Sequence, residues 1–158
     1  MGLFSKKKKE IEIFAPVDGE IISLDLVEDE VFQERMMGDG FAVIPANGVF
    51  VAPIEGELVT VFPTKHAYGI KNAAGIELLI HIGLDTVTLE GKGFNSKVEQ
   101  GQKVKVGDEL VKVNLKEVAA AVPSIKTPVV FTNTNGKTIE VVKFGKVKKG
   151  DLVAILKK

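Results

Sequence analysis

The chain reads as short apolar runs broken every few residues by glycine, proline or asparagine. The runs are "IEIFA", "GEIISLD", "FAVIPA", "GVFVAP", "GELVTVF", "ELLIHI", "ELVKVN", "TPVVFTN", "TIEVVKF" and "LVAILKK", rich in β-branched residues. Runs of this length at this spacing predict strands, and so many of them predict an all-β protein, an antiparallel β-sandwich or barrel-sandwich hybrid. Helix signals are few. Residues 96–100 are expected to make one turn before Gly101, and residues 115–121 two turns before Pro123 stops them.

Two segments repeat. "APVDGEII" at 15–22 returns as "APIEGELV" at 52–59, and "KVKVGDELV" at 103–111 returns as "KVKKGDLVAI" at 146–155. A strand-turn-strand unit used twice explains both, giving a pseudo-symmetric sandwich with Gly19 and Gly56 at tight bends and turns at Gly107-Asp108 and Gly150-Asp151.

One polar residue interrupts the pattern where it is most apolar. His81 stands inside "ELLIHI", and the chain's other histidine, His66, lies upstream in "PTKHAYGIKN". The two segments flank "NAAG", which predicts a hairpin with Gly75 at a positive-φ position. A turn centred between Ala73 and Ala74 places His66 opposite His81, with Cβ atoms ~5 Å apart. Alternation then turns Ile76, Leu78, Ile80 and Ile82 to the core, and sends Glu77, Leu79 and His81 to the other face with His66, Tyr68 and Ile70.

Two adjacent imidazoles have three chemical uses. They can ligate zinc, but zinc needs further ligands, for which Asp85 is a candidate. Acid–base work is a second use, yet no serine elbow or catalytic carboxylate pair accompanies them. The third is nucleophilic: one neutral imidazole attacks phosphorus while the second donates a hydrogen bond to the phosphoryl oxygens. The third use fits the inventory best, because it needs no metal and no thiol. Other motifs are weaker. "LEGKGF" lacks phosphate-loop spacing and reads as a turn, and "VEDEVFQER" lacks calcium-loop spacing and reads as a solvated loop. Phe32, Met36 and Met37 in that region are either core plugs or part of an exposed binding patch.

Composition narrows the picture. With 158 residues, one domain is expected. Basic and acidic residues balance at 21 each, so nothing marks the chain for nucleic acid. The lysine run at 6–9 reads as a solvated tail over residues 1–10, able at most to touch an anionic membrane peripherally. No signal peptide or membrane-spanning run is present, and cysteine is absent, which fits a cytoplasmic protein and excludes thiolate chemistry.

Taken together, "IEIFAPVDGEI", "VFQERMMGDGFAV", "HAYGI", "GIELLIHIGLDTV", "GKGF", "GQKVKVGDELV" and "TPVV" resemble the glucose-family IIA proteins of the bacterial sugar phosphotransferase system, from about residue 11 to the C-terminus. The resemblance implies a phosphotransfer domain over 11–158. It implies that His81 accepts a phosphoryl group from the phosphocarrier protein HPr and passes it to a cysteine on the IIB domain of a membrane sugar permease. His66 matches the second histidine that supports the transferred group, and Thr64 a threonine that orients His66. Asp29 and Asp85 match carboxylates at the rim, and Phe32, Met36, Met37 and Val87 an apolar ring where partners dock. Regulated metabolic proteins are further partners of such a face. No resident cofactor is implied, although His66 and His81 are possible zinc ligands together with a partner's carboxylate. Lys65 and Tyr68 depart from the family pattern.

Two rivals share the sandwich. A biotinyl or lipoyl carrier is suggested by "APVDGEI" and "VKVGDELV", but "ERMMGDG" offers no lysine between its methionines. A zinc peptidase would need a third histidine, commonly in an H-x-H pair, and Ile80 and Ile82 flank His81 instead.

Overall fold

The computed structural model describes residues 10–158. The lysine run at 6–9, with the rest of the expected tail before Glu10, lies outside the described residues. Among the described residues fourteen strands form, ten of them on the ten apolar runs: β1 (Ile11–Phe14), β2 (Gly19–Ile22), β3 (Asp39–Pro45), β4 (Val49–Val51), β5 (Gly56–Val61), β6 (Ala67–Lys71) and β7 (Glu77–His81). They continue as β8 (Phe94–Ser96), β9 (Lys103–Val104), β10 (Glu109–Val113), β11 (Thr127–Asn133), β12 (Thr138–Val141), β13 (Gly145–Val147) and β14 (Leu152–Lys157). An eight-stranded sheet in the order β13-β2-β3-β11-β7-β6-β5-β9 packs with two three-stranded sheets, β1-β14-β12 and β4-β10-β8. All pairings are antiparallel, as the sandwich reading requires. Among the described residues helix is confined to α1 (Glu30–Gln33), α2 (Leu115–Ala121) and 3-10 turns at Leu24–Leu26 and Thr86–Leu89. No helix of the described residues is long and apolar enough to cross a membrane.

The repeats make equivalent contacts. Ala15 N–H donates to Asp151 O and Gly150 N–H to Ala15 O, at 2.8 and 2.9 Å. Ala52 and Asp108 with Gly107 do the same at 2.8 and 3.0 Å. The units then cross-bond, Phe14 N–H to Pro53 O and Val51 N–H to Pro16 O, at 3.0 and 2.7 Å. Gly107 and Gly150 are turn residues with φ 90. Gly19 and Gly56 are not bends. They open β2 and β5, and a Cβ there would collide with the carbonyl oxygens of Ile44 and Lys71, so close approach of a neighbouring strand is what demands glycine.

Two helix expectations are corrected. Residues 96–100 form no helical turn: Ser96 ends β8, and Lys97 N–H donates to Leu110 O at 2.8 Å, which holds the backbone alongside β10 and carries Val98 into the core. Residues 30–33, read as loop, are helical because the Asp29 carboxylate accepts from Val31 N–H at 2.9 Å and caps them. The two-turn helix at 115–121 forms with the same bounds, capped by Asn114.

The hairpin register differs by one residue from the expectation. Ala67, not His66, stands opposite His81, and Lys71 stands opposite Glu77. Asn72 sets this. Its Oδ1 accepts from Ala74 N–H at 3.0 Å and Ile76 N–H at 2.9 Å, while Asn72 N–H donates to Ile76 O at 2.9 Å, closing an odd-numbered loop. A one-residue slip moves every side chain of a strand to the other face. Tyr68 and Ile70 therefore lie in the main core with Leu78, Ile80 and Ile82 rather than beside the histidines.

The face that carries His81 is also buried. Central strands of the large sheet alternate between two cores: Phe41 and Val43 against Ala42, Val129 and Phe131 against Val130, Leu78 and Ile80 against Leu79. The smaller core also holds Ile22, Leu24, Val27, Phe32, Ala67 and Leu84. Burial on both faces is why these strands read as continuous apolar runs.

Candidate functional site

His81 ends β7 at the margin of the smaller core. Its chain turns away at once through Gly83, and Leu84 N–H donates to Ser124 O at 2.9 Å, anchoring the following loop. Within that loop Thr86 Oγ1 donates to Ile82 O at 2.7 Å and Thr88 Oγ1 to Asp85 O at 2.8 Å. The histidine thus sits between a strand end and a tied-down turn, half-buried and held.

His81 Nδ1 lies 2.8 Å from Gly83 O. A carbonyl oxygen only accepts, so Nδ1 carries the proton and the neutral ring keeps its lone pair on Nε2. Burial pushes His81 below the ordinary imidazole range. The bond to Gly83 and the negative charges of Asp29 and Asp85 oppose that shift. The ring is therefore neutral near pH 7, with a nucleophilic nitrogen of fixed identity.

His66 precedes β6, just after Lys65, whose φ of 61 swings the chain. The rings of His66 and His81 approach to 4.8 Å between centroids, edge to face at 80°. The imidazoles are neighbours as expected, although diagonal rather than directly opposed. His66 is buried, and its Nδ1 lies 2.7 Å from Thr64 Oγ1. Burial first, and then the neighbouring His81, push His66 down to about 4.

That shift has a consequence for stability. The unfolded chain binds a proton on His66 near the ordinary 6.5, while the folded chain resists it until about 4. The stability contributed by neutral His66 is whole above pH 6.5 and is lost as pH falls through 4. It amounts to about 3 kcal/mol, of which about 2 kcal/mol is gone by about pH 5. His81 adds to it in the same direction. Denaturant unfolding near pH 7 and near pH 5 measures this, and a flat profile across that window would exclude a buried neutral His66.

Around the pair, Phe32 is only 4% exposed and its ring lies 5.1 Å from that of His81, tilted 54°. It is a buried support, not a free docking residue, because α1 turns it inward onto the smaller core. Met36, Met37 and Val87 are exposed at 68%, 37% and 54%. The structure therefore separates the four apolar residues into one plug and three surface residues. Asp29 is half-buried as the α1 cap, and Asp85 is exposed in a left-handed conformation at φ 59.

Two participants carry no sequence signal of their own. Gly83 acts through its carbonyl, which residue type does not reveal. Phe62 meets His66 edge-on at 5.3 Å and 84°, and only its place ahead of "PTKH" hints at this. Among the described residues no group of three histidines and carboxylates could hold a metal.

Residues 11–137 match the family described as phosphoenolpyruvate-dependent sugar phosphotransferase system, EIIA 1. A glucose-specific EIIA component of Mycoplasma capricolum is 62% identical, over 94% of this chain and 97% of that protein. A glucose-specific EIICBA component of Staphylococcus carnosus is 48% identical over 92% of this chain, which spans 22% of that longer protein. The solved structure of glucose permease IIA from Mycoplasma capricolum superposes with a TM-score of 0.91 at 61% identity, covering 93% of this chain and 96% of that one.

Proposed function

Because the chain belongs to the phosphoenolpyruvate-dependent sugar phosphotransferase system EIIA 1 family, we propose that Nε2 of His81 is the atom through which it carries phosphate. The chain is a phosphoryl carrier of a glucose-type system. The observation that carries the atomic reading is the Nδ1–Gly83 bond, which leaves Nε2 as the free nucleophile. In the first step Nε2 attacks the phosphorus of phospho-HPr; the nitrogen–phosphorus bond of HPr breaks as that to Nε2 forms. In the second step a IIB cysteine thiolate attacks, and the bond to Nε2 breaks. The acceptor thiol lies on another polypeptide or domain, since this chain has no cysteine. Fusion of the same domain with IIC and IIB parts in the Staphylococcus relative supports that pairing.

His66 acts on the group in transit. The Thr64 hydroxyl lies 2.7 Å from Nδ1; when it donates there, His66 keeps its proton on Nε2, free to bond the phosphoryl oxygens. His66 is neutral at pH 7, since burial and then the neighbouring His81 push it down to about 4, so it donates this N–H without carrying a resident charge. Asp29 and Asp85 lie near enough to bias His81, and their charge opposes a resident phosphoryl dianion while attracting a cationic partner side chain.

Incubation with phosphoenolpyruvate, enzyme I and HPr tests the reading, with acid-labile phosphate on this chain as the expected product. No labelling would sink it. HPr and IIB use one shared face in turn, made of Met36, Met37 and Val87. Met37→Lys is expected to raise KM for both partners about ten-fold, the cost of a charge in an apolar contact, with the fold intact. Steady-state transfer in each direction checks it, and an unchanged KM for either partner would show that they use different surfaces.

A further inference from the structure

The α1 helix closes on an unexpected residue. Arg35 N–H donates to Phe32 O at 3.1 Å and Met36 N–H to Val31 O at 2.9 Å. These are the two bonds of a Schellman closure, and the residue at its left-handed position is Arg35, at φ 57. Glycine fills that position without strain, so an arginine there asks what its side chain does. The guanidinium Nη1 donates to Asp25 Oδ1 and to Gln33 O, each at 2.6 Å, and Nε lies 3.4 Å from Asp39 Oδ1. Gln33 Nε2 adds a bond to Asp25 O at 2.9 Å. One planar fork thus ties together the 3-10 turn before α1, the end of α1 and the start of β3. It is the chain's one arginine, at a place where lysine could not reach three acceptors in a plane.

What the fork holds is the exposed apolar segment around Phe32, whose buried ring meets that of His81. The Met36–Val31 backbone bond brings residue 36 back to residue 31, and both side chains are exposed while Phe32 between them in sequence is buried. Met37 follows. A four-residue helix is too short to persist on its own, so this surface needs an external tie to keep one shape. Partners that dock and leave in turn gain from a surface already in its bound form.

We propose that Arg35 is a positioning residue for docking: its guanidinium, through Asp25, Gln33 and Asp39, fixes Val31, Met36 and Met37 in the arrangement that the phosphoryl donor and acceptor proteins meet. This rests on the phosphoryl-carrier reading of the same face. It adds that the surface is set by a charged clamp that itself makes no partner contact.

The test compares Arg35→Gly, Arg35→Lys, Asp25→Asn and the Arg35→Gly/Asp25→Asn double variant with the parent chain. Parent labelling by phospho-HPr comes first; its absence would overturn the carrier reading, and the clamp with it. Given labelling, Arg35→Gly is expected to raise KM for phospho-HPr about three- to five-fold with kcat kept, the scale of one well-formed exposed ion-pair network. Arg35→Lys should recover part of the loss. Asp25→Asn should match Arg35→Gly, and the double variant should be no worse than either single one. In protein labelled at the methionine methyl groups, the signals of Met36 and Met37 should move toward random-coil positions while β-core amides stay in place. If arginine served only to end the helix, glycine would serve as well, with KM and methyl signals unmoved, and the proposal would fail. Additive losses in the double variant would also overturn it, by showing that Arg35 touches the partner directly. Asp25→Asn keeps the test decisive even if Arg35→Gly does not fold.

Discussion

His81→Ala is expected to lose all acid-labile phosphate when incubated with phosphoenolpyruvate, enzyme I and HPr, while unfolding as a single cooperative transition. On the proposed phosphohistidine reading the nucleophile is one of the chain's two imidazoles. Their surroundings divide the roles. His81 is half-buried at a strand end, its Nδ1 proton committed to Gly83 O and its Nε2 lone pair free. His66 is buried, with its Nδ1 facing a threonine hydroxyl and Phe62 against its ring. A partner's phosphohistidine can reach the first ring in line more readily than the second. Truncating His81 removes contacts with Phe32 and His66 and should cost about 1–3 kcal/mol, within the stability of a domain of this size. Labelling that persists in His81→Ala would assign the acceptor to His66. Loss of labelling together with cooperative unfolding would leave His81 as the acceptor.

Most of the architecture was legible because strand runs and turn residues are local signals. The ten apolar runs all became strands, and the duplicated segments bond to one another as a repeat should. What failed were features decided by a single side chain or by distant packing. The hairpin register turned on Asn72, whose Oδ1 accepts two backbone N–H groups and makes the loop odd-numbered. "NAAG" gives no hint of that choice. The histidines still met, because Lys65 turns the chain ahead of β6 and brings the His66 ring across the strand end. The proximity was right and the cross-strand reason for it was wrong.

The same holds for the site's edge. Phe32, Met36 and Met37 share one stretch of sequence, and their opposite fates depend on a helix of one turn that Asp29 caps and Arg35 closes. Its polar residues, Glu30 and Gln33, with Glu34 just after them, read as a solvated loop because the turn is too short for helical periodicity to register. Likewise strand β8 and the burial of Val98 keep residues 96–100 out of a helix, a long-range demand that local propensity does not contain. That both faces of the large sheet are buried was implicit in the run of apolar residues around His81. Alternation alone assigns only one of those faces to a core.

His66→Gln is expected to accept phosphate from HPr but to pass it to the IIB cysteine about a hundred-fold more slowly. Glutamine keeps one N–H donor of similar reach, so a phosphoryl group arriving on His81 still finds a hydrogen bond. It lacks two properties of the imidazole. Thr64 fixes the orientation of the ring through Nδ1, and an amide has no second ring nitrogen to be held in this way. The imidazole also titrates. Alone it is held down at about 4 by burial and by His81, but a phosphoryl dianion placed beside it raises that value, because negative charge favours the imidazolium. His66 can therefore strengthen its bond to the phosphoryl oxygens as the group becomes more negative, and glutamine cannot. Removing one preorganised donor from a developing charge typically costs about 10²–10³ in rate. The loss should fall on the outward step, since Asp29 and Asp85 already oppose retention of the group and the donor geometry decides how the nitrogen–phosphorus bond opens. Single-turnover transfer from labelled His66→Gln to a IIB domain measures that step apart from loading. The same variant should flatten the fall in stability between pH 6.5 and about 4, since glutamine takes no proton there. A folded His66→Gln that cannot be loaded would reverse the two roles, and one that loads and transfers at the parent rate would reduce His66 to a packing residue.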